Sequence, residues 1–393
     1  MRILSSSALL LLPCIALLNL FSWSAVQLTS LKIAILGPSE RLIVLTKLDN
    51  WNRRPAVDKK ENSIALISSS LGIAAANMAD YKQYGSPDPS SPEAMQYSQF
   101  KTLDQMLEKK TGRKIKTTNF SNSAALISED LLVAKEAVRL KAKPSLIVLA
   151  IAPRDFLDHF TATYHRSRLA QILISRQAPI WQRDKTPQVN LDVLMSKIWP
   201  YYSQRVEYRD LAIQTVCKAL NRSASLFSAT HRLESPNPET RETPPSETEP
   251  QEPKAPAQLF LSDEIMSEEK LRKHELDYRG RYLPIDQERW EKEINSLKQF
   301  TQFCQEQNIP LLIVAMPITQ RNRQLLPPEF LQKHMQAVQD LASSKAVLLN
   351  LMDDKRFVKT DFSDTAHLRS DGGVKFAEIL SDEIKQQQGQ LLP

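Results

Sequence analysis

Asp364 and His367 stand three residues apart in the polar stretch 361–373, ahead of an amphipathic helical pattern. A carboxylate at that spacing can hold one ring nitrogen of an imidazole and leave the other free as a base. A base of this kind serves a nucleophile, and the hydroxyls that qualify lie far upstream in Ser68-Ser69-Ser70. A serine where a strand turns into a helix is backed by helix N-terminal N–H groups, which can stabilise a developing oxyanion. The same serine can also be an ordinary helix cap. The chain order Ser, Asp, His favours the chemical reading, in which one of these serines is the nucleophile, His367 takes its proton and Asp364 holds the imidazole.

These residues are useful only if the fold brings them to one place. Segments 63–67, 114–120, 145–152, 310–316 and 346–351 read as strands, most of them apolar, and the stretches between them carry helical periodicity. The helices are expected over 71–81, 93–110, 123–141, 286–307, 328–343 and 371–387; Trp290, Ile294, Leu297 and Phe300 sit at core spacing in the fourth of these. Alternation of this kind predicts an α/β domain, a doubly wound, flavodoxin-like, five-stranded parallel sheet with flanking helices. Its two parts are 62–155 and 286–393. In such sheets the site lies outside the carboxyl ends of the strands. That edge carries Ser70, then Asn119 and Asn122 after the second strand, Arg154 after the third, Asn322 after the fourth, and Asp364 with His367 after the fifth.

The remaining segments set the context. Residues 3–31 hold no charge and are long enough to span a bilayer. We read 1–31 as an uncleaved transmembrane anchor, 32–61 as a linker and everything after about Lys32 as extracytoplasmic (periplasmic). A cleaved signal ending near Ser22-x-Ser24 and a lipoprotein signal at Cys14 are the alternatives. Residues 156–285 read as a helical, basic insertion whose aromatics pack on the main domain. Within it, 234–257 is dominated by Glu, Pro, Thr and Ser and is expected to be disordered.

Composition excludes several classes. Glycine numbers 8 in 393 residues, against ~7% on average, and no dinucleotide or phosphate-loop pattern occurs. The net charge of +6 comes without a nucleic-acid module, so no nucleic acid is expected as a partner. Cys14, Cys217 and Cys304 are odd in number and far apart, which argues against a disulfide framework or a metal cluster. No metal and no organic cofactor is implied.

Ser70-Leu71 after the first strand, and Asp364-x-x-His367 before the last helix, resemble the first and last blocks of the SGNH (GDSL-type) hydrolases. The run Ala152-Pro153-Arg154-Asp155-Phe156 is most similar to a membrane-anchored family common in cyanobacteria. More distantly the chain resembles the D-alanyl-transfer protein of teichoic acid modification and the alginate O-acetyltransferases. The resemblance covers roughly 62–155 and 286–387. It implies an SGNH-like fold and a membrane-anchored esterase or O-acyltransferase acting on envelope polysaccharide or glycan. Ser70, Asp364 and His367 would then be the triad. The expected partners are a glycan or acyl donor, the membrane itself and a membrane acyltransferase; the competing expectation is a noncatalytic scaffold that binds glycan or an assembly partner. The chain departs from the family where the second block, 119–124, lacks its glycine and where Arg154 replaces the oxyanion asparagine. Asn122 or the Ser70 amide would fill that gap, and Arg154 would bind an anion or the oxyanion, or else pair with Asp155.

Overall fold

Parallel strands buried on both faces favour near-continuous apolar sequence, and three of the five strands here are such runs while the second, Ile-Lys-Thr-Thr-Asn, is mostly polar. The five are β1 (Asn62–Ser68), β2 (Ile115–Asn119), β3 (Leu146–Ile151), β4 (Leu311–Ala315) and β5 (Val347–Asn350). β3, whose six residues are all buried, is the middle strand. The sheet order is β2-β1-β3-β4-β5 with every pair parallel, as the doubly wound reading expects. The computed structural model describes residues 43–53, 62–91, 93–140, 143–159, 168–177, 261–343 and 346–392. The expected anchor at 1–31, most of the linker at 32–61 and the segment 234–257 lie outside the described residues. Among the described residues no helix is long and apolar enough to cross a membrane.

The helices in chain order are α1 (Ile43–Arg53), α2 (Ser70–Tyr84), α3 (Glu93–Gln96), α4 (Lys101–Thr111), α5 (Ile127–Arg139), α6 (Arg154–Leu157), α7 (Arg168–Gln177), α8 (Glu268–Tyr282), α9 (Gln287–Glu306), α10 (Gln320–Arg323), α11 (Pro328–Ser343), α12 (Ser370–Gln386) and α13 (Gln388–Leu391). α2 and α4 both stop at a glycine in the left-handed region, Gly85 and Gly112, each at φ 67°. α12 lies close against α2: a Cβ added at Gly373 would sit 2.7 Å from the Ala75 carbonyl oxygen. Trp290, Leu297 and Phe300 of α9 are core residues and Ile294 packs against them.

Two boundaries differ from expectation, and each has an identifiable cause. The single helix expected over 93–110 is two, because buried Asp80 intervenes. Its carboxylate accepts from the Lys101 and Thr102 amides at 2.8 and 2.7 Å and from the Tyr97 hydroxyl at 2.6 Å, which starts a fresh helix at Lys101. The helix expected from 123 starts at Ile127, since the chain first turns through Ala124 at φ 56°. Within the expected insertion, 261–285 packs on the sheet domain. Leu271, Tyr278 and Tyr282 of α8 are buried, and Arg281 pairs with Asp158 at 2.9 Å.

α1 contributes an unusual core group. Lys47 is buried and its Nζ donates to the Ser121 carbonyl at 3.2 Å, behind the loop that follows β2. Burial pushes its ammonium down to about 7. The unfolded chain, with a lysine near ~10.4, binds the extra proton between about pH 7 and pH 10, so this group makes stability rise with pH across that window. Lys47→Met should therefore stabilise the protein at pH 7 by ~2–3 kcal/mol and narrow the gap in stability between pH 7 and pH 9. Urea unfolding of both proteins at the two pH values checks this; an unchanged gap would refute it.

Candidate active site

Ser69 holds the cap position of α2 in extended geometry, with φ −80° and ψ −159°, and its side chain makes no capping bond. Ser70 is therefore the first helical residue, and its hydroxyl is turned out of the helix. It meets His367 Nε2 at 2.9 Å. Ser70 is thus not the cap of α2.

The histidine is delivered by a tight loop. Phe362 and Leu368 form an isolated antiparallel bridge, and the Ser363 amide donates to the His367 carbonyl at 2.9 Å. Asp364 fills the loop: its Oδ1 accepts the Ala366 and His367 amides at 2.7 and 2.8 Å. Its Oδ2 stands 2.6 Å from His367 Nδ1. A carboxylate can only accept there, so Nδ1 carries the proton and Nε2 is the acceptor that faces the Ser70 hydroxyl. Burial alone would raise the Asp364 pKa, but His367, the neighbouring His274 and the hydrogen bonds outweigh it and hold the carboxyl well below its ordinary range. Asp364 therefore stays ionised, as the orienting member of a triad must. All three residues are buried, with Ser70 3% exposed.

The second-strand loop runs alongside Ser70. The Phe120 amide donates to Leu66 O and the Asn122 amide to Ser68 O, at 2.8 and 2.9 Å, so the loop continues the ladder past the end of β2. Asn122 is buried beside the nucleophile turn, and its Nδ2 finds no acceptor. On the other flank, after β3, Arg154 is buried with Nε 3.7 Å from Asp155 and 3.8 Å from Asp158, and its Nη2 also finds no acceptor. Both expectations for Arg154 thus hold part of the geometry: it pairs loosely with Asp155 and still has a donor to offer. Burial pushes Asp155 up to about 6 against the pull of Arg154. An unpaired buried donor costs ~1–3 kcal/mol, so two at one strand edge are a cost that calls for a use.

Asn119 and Asn322, expected on the same edge as oxyanion or substrate groups, are both hydrogen-bonded to the scaffold. Asn119 Nδ2 donates to Gly72 O at 3.3 Å and its Oδ1 accepts the Ser121 amide at 2.9 Å. Asn322 Oδ1 accepts from the Tyr282 hydroxyl at 2.8 Å, and its Nδ2 donates to Thr365 Oγ1 at 3.1 Å. Both ends of each amide are thus held in place by neighbouring groups. His274 of α8 reaches the site without any signal in the sequence. Its Nδ1 meets Thr365 Oγ1 at 3.0 Å and its Nε2 lies 3.4 Å from Asp364 Oδ2.

A cavity of about 350 Å³ opens beside the same loop, with Pro317, Thr319, Arg321 and Phe362 in its wall. It includes Asp364 and Thr365 but neither Ser70 nor His367, so it is not where a group attacked by Ser70 would lie. No protein-family model matches the chain, and no curated protein matches it.

The contrast between the two second-strand asparagines can be measured as stability. Asn119→Ala strands the Ser121 amide and the Gly72 carbonyl and should cost ~1–3 kcal/mol in urea unfolding. Asn122→Ala removes a donor that has no partner and should cost clearly less. Equal losses would mean that the Asn122 amide is also structural.

Proposed function

We propose that this chain is an SGNH-like serine esterase or O-acyltransferase. The observation that carries the reading is the unbroken line Ser70 Oγ, His367 Nε2, His367 Nδ1, Asp364 Oδ2, with spacings of 2.9 and 2.6 Å at its two hydrogen bonds. In the reaction, Ser70 attacks an ester carbonyl while its proton passes to His367 Nε2, and Asp364 stabilises the imidazolium. The tetrahedral oxyanion falls to the Ser70 amide at the start of α2, with Asn122 Nδ2 and Arg154 Nη2 as the unpaired donors nearby. His367 then returns the proton to the departing alcohol, leaving acyl-Ser70. A water or a sugar hydroxyl, deprotonated by the same imidazole, takes the acyl group and regenerates Ser70.

The apolar stretch at 3–31 supports a membrane-anchored, extracytoplasmic placement, and such a placement favours an envelope polysaccharide or glycan over soluble esters as the acyl partner. A membrane acyltransferase that supplies the acyl group is the partner this reading calls for. One observation favours the noncatalytic alternative, a scaffold that binds glycan or an assembly partner. Ser70, His367 and Asn122 are almost wholly covered, at 3, 5 and 2% exposure.

Labelling separates the two. The wild-type protein should react with a serine-directed fluorophosphonate and release p-nitrophenol from p-nitrophenyl acetate, and Ser70→Ala should do neither. Asn122→Ala should lower kcat by ~10²–10³ while the protein stays folded. A folded wild type that is inert to both reagents would favour the scaffold.

A further inference from the structure

Asp364 has two histidines, not one. His274 reaches it from α8, and the donor atoms of His274, Asp364 and His367 all lie within 4.8 Å of one another. The 3.4 Å between His274 Nε2 and Asp364 Oδ2 is longer than a good N–H···O bond. It does match the ~3.3–3.4 Å between two donors on one tetrahedral ion with bonds of ~2.0–2.1 Å. Two imidazole nitrogens and a carboxylate oxygen are a donor set for zinc and its neighbours, not for magnesium or calcium.

We propose that His274, Asp364 and His367 form a zinc-binding site that switches the serine centre off. The outer partners such a site needs are present. A histidine that ligates through one ring nitrogen donates from the other, and that donor sets its orientation. His274, ligating through Nε2, would donate from Nδ1 to Thr365 Oγ1, 3.0 Å away. The same oxygen also accepts from Asn322 Nδ2, which is fixed in turn by the Tyr282 hydroxyl. Asp364 would ligate through Oδ2 while its Oδ1 stays on the Ala366 and His367 amides. His367 would ligate through Nδ1.

The last step decides the outcome. In the metal-free triad Nδ1 of His367 bears the proton and Nε2 accepts from Ser70. A metal on Nδ1 needs that lone pair, so the proton moves to Nε2, which then donates to Ser70 Oγ across the existing 2.9 Å contact. No proton leaves the protein, yet the base is gone. The ion must open the 2.6 Å separation of Nδ1 and Oδ2 by roughly 0.7 Å, a swing of the His367 ring rather than a change of fold. The inhibitory effect rests on the acyl-transfer reading; the binding itself does not.

The test uses the full-length protein and zinc chloride. Isothermal titration should find one saturable zinc site in the wild type and in Ser70→Ala. His274→Gln and His274→Phe, both checked for fold by circular dichroism, should weaken it by about 10- to 100-fold. Zinc should inhibit wild-type hydrolysis of p-nitrophenyl acetate at the concentrations that fill the site. The concentration for half-inhibition should rise by the same factor in the His274 variants. No saturable binding, or binding that survives both folded His274 variants, overturns the site. Binding that depends on His274 but leaves turnover untouched overturns the switch. Zinc binding that tracks His274 in a protein with no ester turnover at all sustains the site and removes the acyl-transfer reading instead.

Discussion

One buried carboxylate organises the carboxyl edge of this sheet. Asp364 accepts two amides of its own loop on one oxygen and faces two imidazoles on the other. Burial alone would favour its neutral form, so the anion persists only because its neighbours answer it. The shape of the loop follows from this. With both amides pointed at Oδ1, the chain closes so tightly that the bridge from Phe362 to Leu368 can form and His367 has little freedom in χ1. The Thr319 amide and hydroxyl, both donating to the Thr365 carbonyl, tie the loop to the end of β4. A histidine base in a fixed tautomer is thus a product of packing around one anion.

The sheet supplies the other half. β1 and β3 are neighbours, and β2 lies on the far side of β1, so the loops after β2 and β3 flank the residue that follows β1. Ser69 follows there, and then Ser70 as the first residue of α2. The strand order therefore places two loop donors, Asn122 and Arg154, on opposite sides of one hydroxyl without any of the three being near in sequence. The close approach of α12 to α2 at Gly373 holds the helix behind Ser70 against the helix that follows the Asp364 loop. The start of α12 thus packs on the middle of α2.

How much of this was legible before the fold was known depended on how local the cause was. β1, β3 and β4 are apolar runs and can be read as such, and the serine and the Asp-x-x-His loop follow from counting strands. The break between α3 and α4 could not be read, because the group that causes it, Asp80, comes from α2. Asn119 and Asn122 look alike in sequence, three residues apart in one polar loop. What separates them is that Gly72 O and the Ser121 amide lie within reach of the first and not of the second. His274 had no signal, since a histidine in a charged helix is normally solvated and its meaning here comes from which edge α8 packs against.

The stability of the frame and the readiness of the site pull in opposite directions. Many buried polar atoms that build the frame are satisfied, as with Asp80, Asn119, Asn322 and the amides of the Asp364 loop. Others are not, among them Asn122 Nδ2 and Arg154 Nη2 on the loops beside Ser70 and, elsewhere in the frame, Asn77 Oδ1, Thr117 Oγ1 and Asp130 Oδ2. A native protein keeps few such atoms, because each forfeits a hydrogen bond that water would have made. Asn122 and Arg154 stand on the loops that flank the Ser70 hydroxyl, which meets His367 Nε2 at 2.9 Å. An anion appearing between them during reaction would be met by donors that need not turn or shed water first, which is how preorganised sites lower a barrier. Lys47 belongs to the same account. A buried amine bonded to the Ser121 carbonyl props the loop that carries Asn122 from behind, so part of the cost of the site is spread into the helix that precedes β1.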